Sequence, residues 1–144
     1  MEEQVFGAGG TSRRRRSVWE AMKRGFAGRC PHCGRGRLFR AYLKTVENCE
    51  ACDEVISHHR ADDLPAYLVI VVVGHIVVGA FMGVEAMTVW PSWLHLAIWV
   101  PVTLLMSLWL IGPMKGAVVG LQWAQYMHGF GGEPDTLETH PELR

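Results

Sequence analysis

Hydrophobic and polar positions along this chain are sorted into blocks. Residues 65–84 are a run of twenty positions in which His75 is the one side chain able to ionise near neutral pH. A second apolar block covers residues 94–111, with His95 at its edge and Pro101 inside. About 20 apolar residues suffice for a helix to cross a hydrocarbon layer of roughly 30 Å, so the pattern predicts two transmembrane helices. The link between them, residues 85–93, is too short for a domain and carries Trp90, Pro91 and Trp93. Aromatic residues of this kind gather at membrane–water interfaces, and a tight extramembrane turn is expected.

The flanks have other periodicities. Ser17-Val18-Trp19-Glu20 has the form of a capping box, with Ser17 over the first amides and Glu20 reaching back, so a helix is expected from Val18. Val18, Trp19, Met22 and Phe26 share one face, flanked by Arg13 to Arg16, Lys23 and Arg24. A basic amphipathic helix of this type suits an anionic membrane surface, with Trp19 and Arg24 at the interface. Residues 38–44 read as one extended segment. After the second block, Gly112-Pro113 interrupts helical hydrogen bonding, and residues 114–127 are apolar apart from Lys115, Gln122 and Gln125. An unbroken helix over residues 94–128 would be about 50 Å long, which favours a separate interfacial helix over a kinked continuation of the span. Asp62 and Asp63 suit a cap and first-turn charges at the start of the first span.

Five segments follow: a disordered arm and basic helix over 1–28, a metal ribbon over 29–61, the two-span hairpin over 62–112, an interfacial or kinked helix over 113–130, and a flexible acidic tail over 131–144. No cleavable leader is expected, because the basic run at Arg13 lies some fifty residues before the first apolar block.

Charge gives the hairpin a direction. Residues 1–63 hold 12 Lys and Arg against 9 Asp and Glu, whereas Glu85 and Lys115 are the only such residues in 64–132. Basic residues thus precede the first span and follow the second, and none lies in the turn. By the positive-inside rule both termini face the cytoplasm, with Lys115, Trp90 and Trp93 as further interface markers.

The candidate chemistry begins with Cys30, Cys33, Cys49 and Cys52, spaced C-x2-C-x15-C-x2-C. This is the spacing of a tetrahedral zinc site built from four cysteines. A closed site of four thiolates leaves no position for water or substrate, so one structural Zn2+ is expected. Arg29, Arg35, Arg37 and Arg40 are expected around it to offset its negative charge. The knob has few other apolar residues, so metal binding is expected to supply most of its folding free energy. His32, His58 and His59 are read as non-ligands, and a dithiol redox pair is disfavoured by two matched motifs.

His75 is the second candidate. It stands near the centre of its span, where ionisable groups are costly and point to function. At about 100° per residue, His75, Gly79, Met82 and Gly83 share one face, and such small residues admit another helix closely. A neutral His75 could bond across the hairpin to Thr103 or Ser107, to the Ala97 carbonyl freed by Pro101, or to another protein's helix. Proton or metal handling with Glu85, Met82 or Met106 is the alternative; Glu85 otherwise simply ends the span. Nucleic acid is disfavoured as a partner because base-stacking aromatics are sparse on the knob.

Taken together, Cys30-Pro31-His32-Cys33-Gly34, Gly36-Arg37-Leu38-Phe39, Tyr42-Leu43-Lys44, the second cysteine pair, Ala61-Asp62-Asp63, Pro65-Ala66, Glu85 and Pro113-Met114-Lys115-Gly116 resemble the bacterial DUF983 family, a domain of unknown function. Asp53 stands where that family usually has glycine, which predicts a looser second turn. The resemblance implies a two-span inner-membrane protein with a zinc ribbon and no established catalytic residue. It also implies a link to haem–copper oxidase biogenesis. The expected role is therefore non-enzymatic: an accessory protein in contact with membrane lipids and a larger complex, such as a respiratory oxidase. An intramembrane transport component using His75 and Glu85 is the alternative.

Overall fold

The computed structural model describes residues 15–58 and 63–131. The arm, Arg13, Arg14, His59, Ala61, Asp62 and the acidic tail, for which the sequence raises expectations, lie outside the described residues. In chain order the elements are α1 (Val18–Phe26), β1 (Phe39–Ala41), β2 (Lys44–Thr45), α2 (Leu64–Met87) and α3 (Ser92–Ala124).

α2 and α3 are both long and apolar enough to cross a membrane. They are joined by residues 88–91 and pack side by side. Val69 and Val73 meet Leu110 near one end, with Met106, Ile111 and Met114 around them. At the other end Phe81 meets His95 and Trp99 edge-on. Contacts of this order at both ends mean that the helices run antiparallel. Asp63 stands at the N-cap of α2 without a side-chain cap bond, and Pro65 occupies the first turn, where its missing N–H costs nothing.

Among the described residues no separate interfacial helix follows Pro113. α3 runs unbroken through Pro101 and Pro113 to Ala124, so the kinked-continuation alternative is closer to what is found. The length problem has a different resolution. At about 1.5 Å per residue α3 extends roughly 50 Å, and its last third leaves the hairpin to become the core of the knob. Gly116 to Gly120 and Gln122 to Ala124 are all buried. Val118 and Val119 close a cluster with Cys30, Leu38, Cys49 and Ile56. Leu38 and Ile56 are fully buried there, each worth about 1.5–3 kcal/mol. The knob therefore has a core beyond its metal, contrary to expectation, because α3 supplies the apolar surface that the ribbon lacks.

α1 turns a face of small residues inward and leaves the expected apolar stripe of Val18, Trp19 and Phe26 exposed. Ser17 Oγ accepts from the Glu20 N–H at 3.4 Å, so the cap forms. Glu20, however, pairs with Arg24 instead of reaching back. The buried residues of α1 are Ala21 and Gly25, and Trp19 is 70% exposed. The small face wins because α1 lies in backbone contact with α3. A Cβ on Gly25 would collide with the Gly116 carbonyl oxygen, and one on Gly120 with that of Ala21. Two matched pairs of small residues four apart allow this approach.

Residues 38–44 form a hairpin instead of one extended segment. β1 and β2 pair antiparallel, with Phe39 opposite Thr45 and Ala41 opposite Lys44, and the chain reverses at Tyr42-Leu43.

Replacing Gly120 by leucine is expected to detach α1, destabilising the knob by more than about 2 kcal/mol and opening Lys23 and Arg24 to trypsin. Gly79→Leu is the control, since a Cβ there meets nothing within 4 Å. Thermal unfolding in detergent and limited proteolysis measure both.

Candidate metal centre

Each cysteine pair sits in a tight turn held by its own flanking strands. Around the first, Arg29 bridges Arg37, the Cys30 N–H donates to Gly36 O at 2.9 Å, and the Gly34 N–H donates to Cys30 O at 2.9 Å. Around the second, Asn48 bridges Val55, the Cys49 N–H donates to Glu54 O and the Asp53 N–H to Cys49 O, both at 2.9 Å. The two knuckles share this closing bond, although the first returns to Gly36, six residues beyond Cys30, and the second to Glu54, five beyond Cys49. Gly34 has φ +70 and Asp53 φ 54, so aspartate takes the left-handed conformation that glycine takes in the first. Aspartate tolerates this better than most residues, and the carbonyl bonds that close the second turn are as short as those of the first.

The knuckles face each other and bring all four Sγ atoms within 4.8 Å of one another. Cys30 to Cys52 is 3.8 Å and Cys33 to Cys49 is 3.7 Å. A tetrahedral ion about 2.3 Å from each sulfur would set edges of ~3.8 Å, so the donor set fits a metal such as zinc. When bound, that ion would cross-link the two knuckles. Gly36 is part of the fit, since a Cβ there would collide with Cys49 Sγ.

The thiols are unequal. Burial pushes Cys30 up beyond the usual thiol range and Cys52 up to about 11. Cys33 is pulled down to about 6, first by the Gly36 N–H and then by that of Arg35. The metal-free site thus holds protons on Cys30 and Cys52 at neutral pH, and a divalent ion must displace them.

The surroundings are less arginine-rich than expected. Arg29, Arg35, Arg37 and Arg40 are exposed, and Arg35 reaches the sulfurs through its backbone N–H, 3.4 Å from Cys33 Sγ. Arg24 braces the first knuckle instead, donating to the Pro31 and His32 carbonyls at 3.3 and 2.8 Å. His32 Nδ1 lies 3.4 Å from Glu54 Oε2, and the other Glu54 oxygen accepts from Trp123 Nε1 at 2.9 Å. Glu54 thereby ties both knuckles to α3. His32 and His58 stand outside the sulfur cluster.

Along the hairpin, His75 does not bond across to α3. It is exposed, and its Nδ1–H donates to the Val71 carbonyl one turn back at 2.7 Å. Thr103 is engaged within its own helix, donating to Trp99 O at 2.7 Å. Gly79 and Gly83 have nothing within 4 Å of an added Cβ, so this face of α2 is open among the described residues. Glu85 does not merely end the span. Its Oε2 lies 3.1 Å from His95 Nε2, although not aligned as a hydrogen bond. His95 is only 7% exposed, and its Nδ1 accepts from Trp99 Nε1 at 3.3 Å, which places the proton of a neutral ring on the Nε2 that faces Glu85. The Trp90 ring lies 5.7 Å away, while Trp93 is exposed. The edge position of His95 in its apolar block hides this role in the sequence; its i, i+4 spacing to Trp99 is the one signal that could reveal it.

A family model described as "Protein of unknown function (DUF983)" matches residues 39–123. The match takes in Cys49, Cys52, α2 and nearly all of α3, and it begins after Cys30 and Cys33. No curated protein and no solved structure matches the chain.

One zinc per chain is expected by elemental analysis, lost in Cys49→Ser and reduced in Gly36→Ala. Because binding expels protons from Cys30 and Cys52, apparent affinity should rise with pH through neutrality and the metal should be released on acidification, as a chelator competition titration would report. Asp53→Gly should leave metal content unchanged and stabilise the knob by about 1 kcal/mol.

Proposed function

We propose that this chain, which belongs to the DUF983 family of proteins of unknown function, is a non-enzymatic accessory protein of the bacterial inner membrane. α2 and α3 span the bilayer with both termini cytoplasmic, and the four cysteines hold one structural Zn2+. The ribbon presents a cytoplasmic docking face, and the hairpin packs against a larger membrane complex. On the family resemblance, a haem–copper oxidase or its assembly machinery is the complex to probe first.

The observation that carries this reading is the open face of α2. His75 projects from the middle of an apolar helix with its Nδ1–H already used by Val71, leaving Nε2 as an outward acceptor in a layer that offers no water. Gly79 and Gly83 on the same side have open space around them. A neighbouring helix carrying a donor at mid-depth would satisfy both features. The knob adds an exposed basic surface through Arg29, Arg35 and Arg37. A cavity of about 410 Å³ at the start of α1 is lined by Arg15, Arg16, Glu20 and Arg24, with Arg16 engaged by Trp123 and Arg24 by Glu20.

A second reading rests on the Glu85–His95 pair. A buried histidine against a carboxylate at the end of a helical hairpin could accept and return a proton, which moves the intramembrane alternative from His75 to His95.

A photo-crosslinking residue at position 82, exposed on the same face as His75, is expected to yield one discrete protein adduct in membranes, weakened at least tenfold by Gly79→Leu at unchanged abundance and zinc content. Lipid adducts alone would count against docking. If the second reading holds, His95→Gln abolishes function while the crosslink persists.

A further inference from the structure

The turn of the β1–β2 hairpin is tied to α3 by two side-chain hydrogen bonds. Tyr42 Oη–H donates to the Leu108 carbonyl at 2.8 Å, and Lys115 Nζ donates to the Leu43 carbonyl at 2.9 Å. Leu43 has φ 58, a left-handed conformation costing an ordinary L residue about 1–2 kcal/mol. That strained turn is where the tip meets Lys115.

The depth of this contact matters. The packing of Val69 and Val73 on Leu110 in antiparallel helices sets the first turn of α2 close to the level of Lys115. Leu108 lies seven residues before Lys115, about 10 Å further along the axis at the helical rise, within the apolar stretch. The surface there is apolar and open: Leu105, Leu108 and Trp109 are all more than half exposed. Tyr42 is itself 63% exposed, so its ring faces whatever bathes that surface. Arg40 and Lys44 flank the tip, one on each side, and both are exposed. A tyrosine with an apolar ring and a bonded hydroxyl, between two long cationic side chains, has the chemistry of the headgroup layer.

We propose that the β1–β2 hairpin is a lipid-contacting wedge. Tyr42 seats in the interfacial layer against α3, and Arg40 and Lys44 hold the phosphate of an anionic phospholipid. The proposal rests on the membrane-spanning reading above, and it adds a contact on the ribbon to the one expected of α1, whose Ala21 and Gly25 are turned onto α3 while Trp19 stays exposed.

The test uses the full, zinc-loaded chain in nanodiscs of phosphatidylcholine, alone or mixed with phosphatidylglycerol. Spin labels placed singly on a ketone-bearing unnatural residue at position 41 or 78, which leaves the four cysteines untouched, report depth by accessibility to oxygen and to a water-soluble nickel complex. Both labels should be shielded from nickel, Val78 more deeply. A shielded Val78 label with a nickel-accessible Ala41 label would overturn the wedge and leave the hairpin standing; nickel access at Val78 would overturn both. Native mass spectrometry should then show phosphatidylglycerol retained over phosphatidylcholine by about tenfold or more, as expected of two basic residues at an anionic surface. That preference should be lost in an R40Q/K44Q variant of unchanged zinc content. Equal retention by wild type and variant would overturn the phosphate contact.

Discussion

The approach of α1 onto the last third of α3 is a contact between backbones, and the knob is arranged around it. Gly25 and Gly116 stand so close that neither can carry a Cβ, and Gly120 meets Ala21 in the same way. With α1 in place, Arg16 stacks over Trp123 and Tyr126 at 4.0 Å from each ring and donates to the Trp123 carbonyl at 2.7 Å. Arg24, further along the same helix, reaches the first knuckle. The α3 segment also receives Leu38 and Ile56 from the two knuckle arms. A single stretch of helix thus serves as the seat for the N-terminal helix and for the metal-binding ribbon. The same helix continues into the hairpin without a break.

This arrangement accounts for a ribbon that is small for an independent domain. Below about 40 residues a chain buries too little surface to fold without a metal, a disulfide or a partner. Here there are two such supports. A sulfur tetrahedron, worth on the scale of roughly 10–16 kcal/mol when zinc binds finger peptides, would fix the knuckles to each other. Val118 and Val119 fix both to the shaft. Glu54 makes the coupling explicit, with one oxygen on the first knuckle's His32 and the other on Trp123 of α3. A ligand change at the sulfurs is therefore mechanically connected to a helix of membrane-spanning length.

Much of the fold is legible in the chain, and the reasons for the rest are physical. The cysteine spacing predicts the sulfur cluster because local turn geometry alone sets the position of each pair. The two apolar blocks predict both long helices because uninterrupted hydrophobicity over some twenty residues rarely arises except in a helix. The cap places α1 correctly, and the face that packs on α3 is missed, since side-chain hydrophobicity says nothing about Ala21 and Gly25, whose value lies in having almost no side chain. Gly79-x3-Gly83 and Gly116-x3-Gly120 look alike as sequence, yet only the second pair is packed against another helix; the first is open. Pro113 reads as a break because proline removes a hydrogen bond, whereas the helix continues through it, with Met114 packed beside α2 and Gly116 against α1. His75 and His95 exchange roles for a related reason. Depth in a block predicts cost, but only the pairing of two helices decides which histidine is enclosed.

Metal, ribbon and the end of α3 should therefore behave as one cooperative unit, and amide hydrogen exchange on zinc-loaded and chelator-stripped protein tests this most directly. Stripping the metal is predicted to lower protection at Leu38 and Ile56 and, by a comparable factor, at Val118 to Gly120, while protection within Val69 to Val77 of α2 is kept. Protection at Val118 to Gly120 that is indifferent to the metal would contradict it.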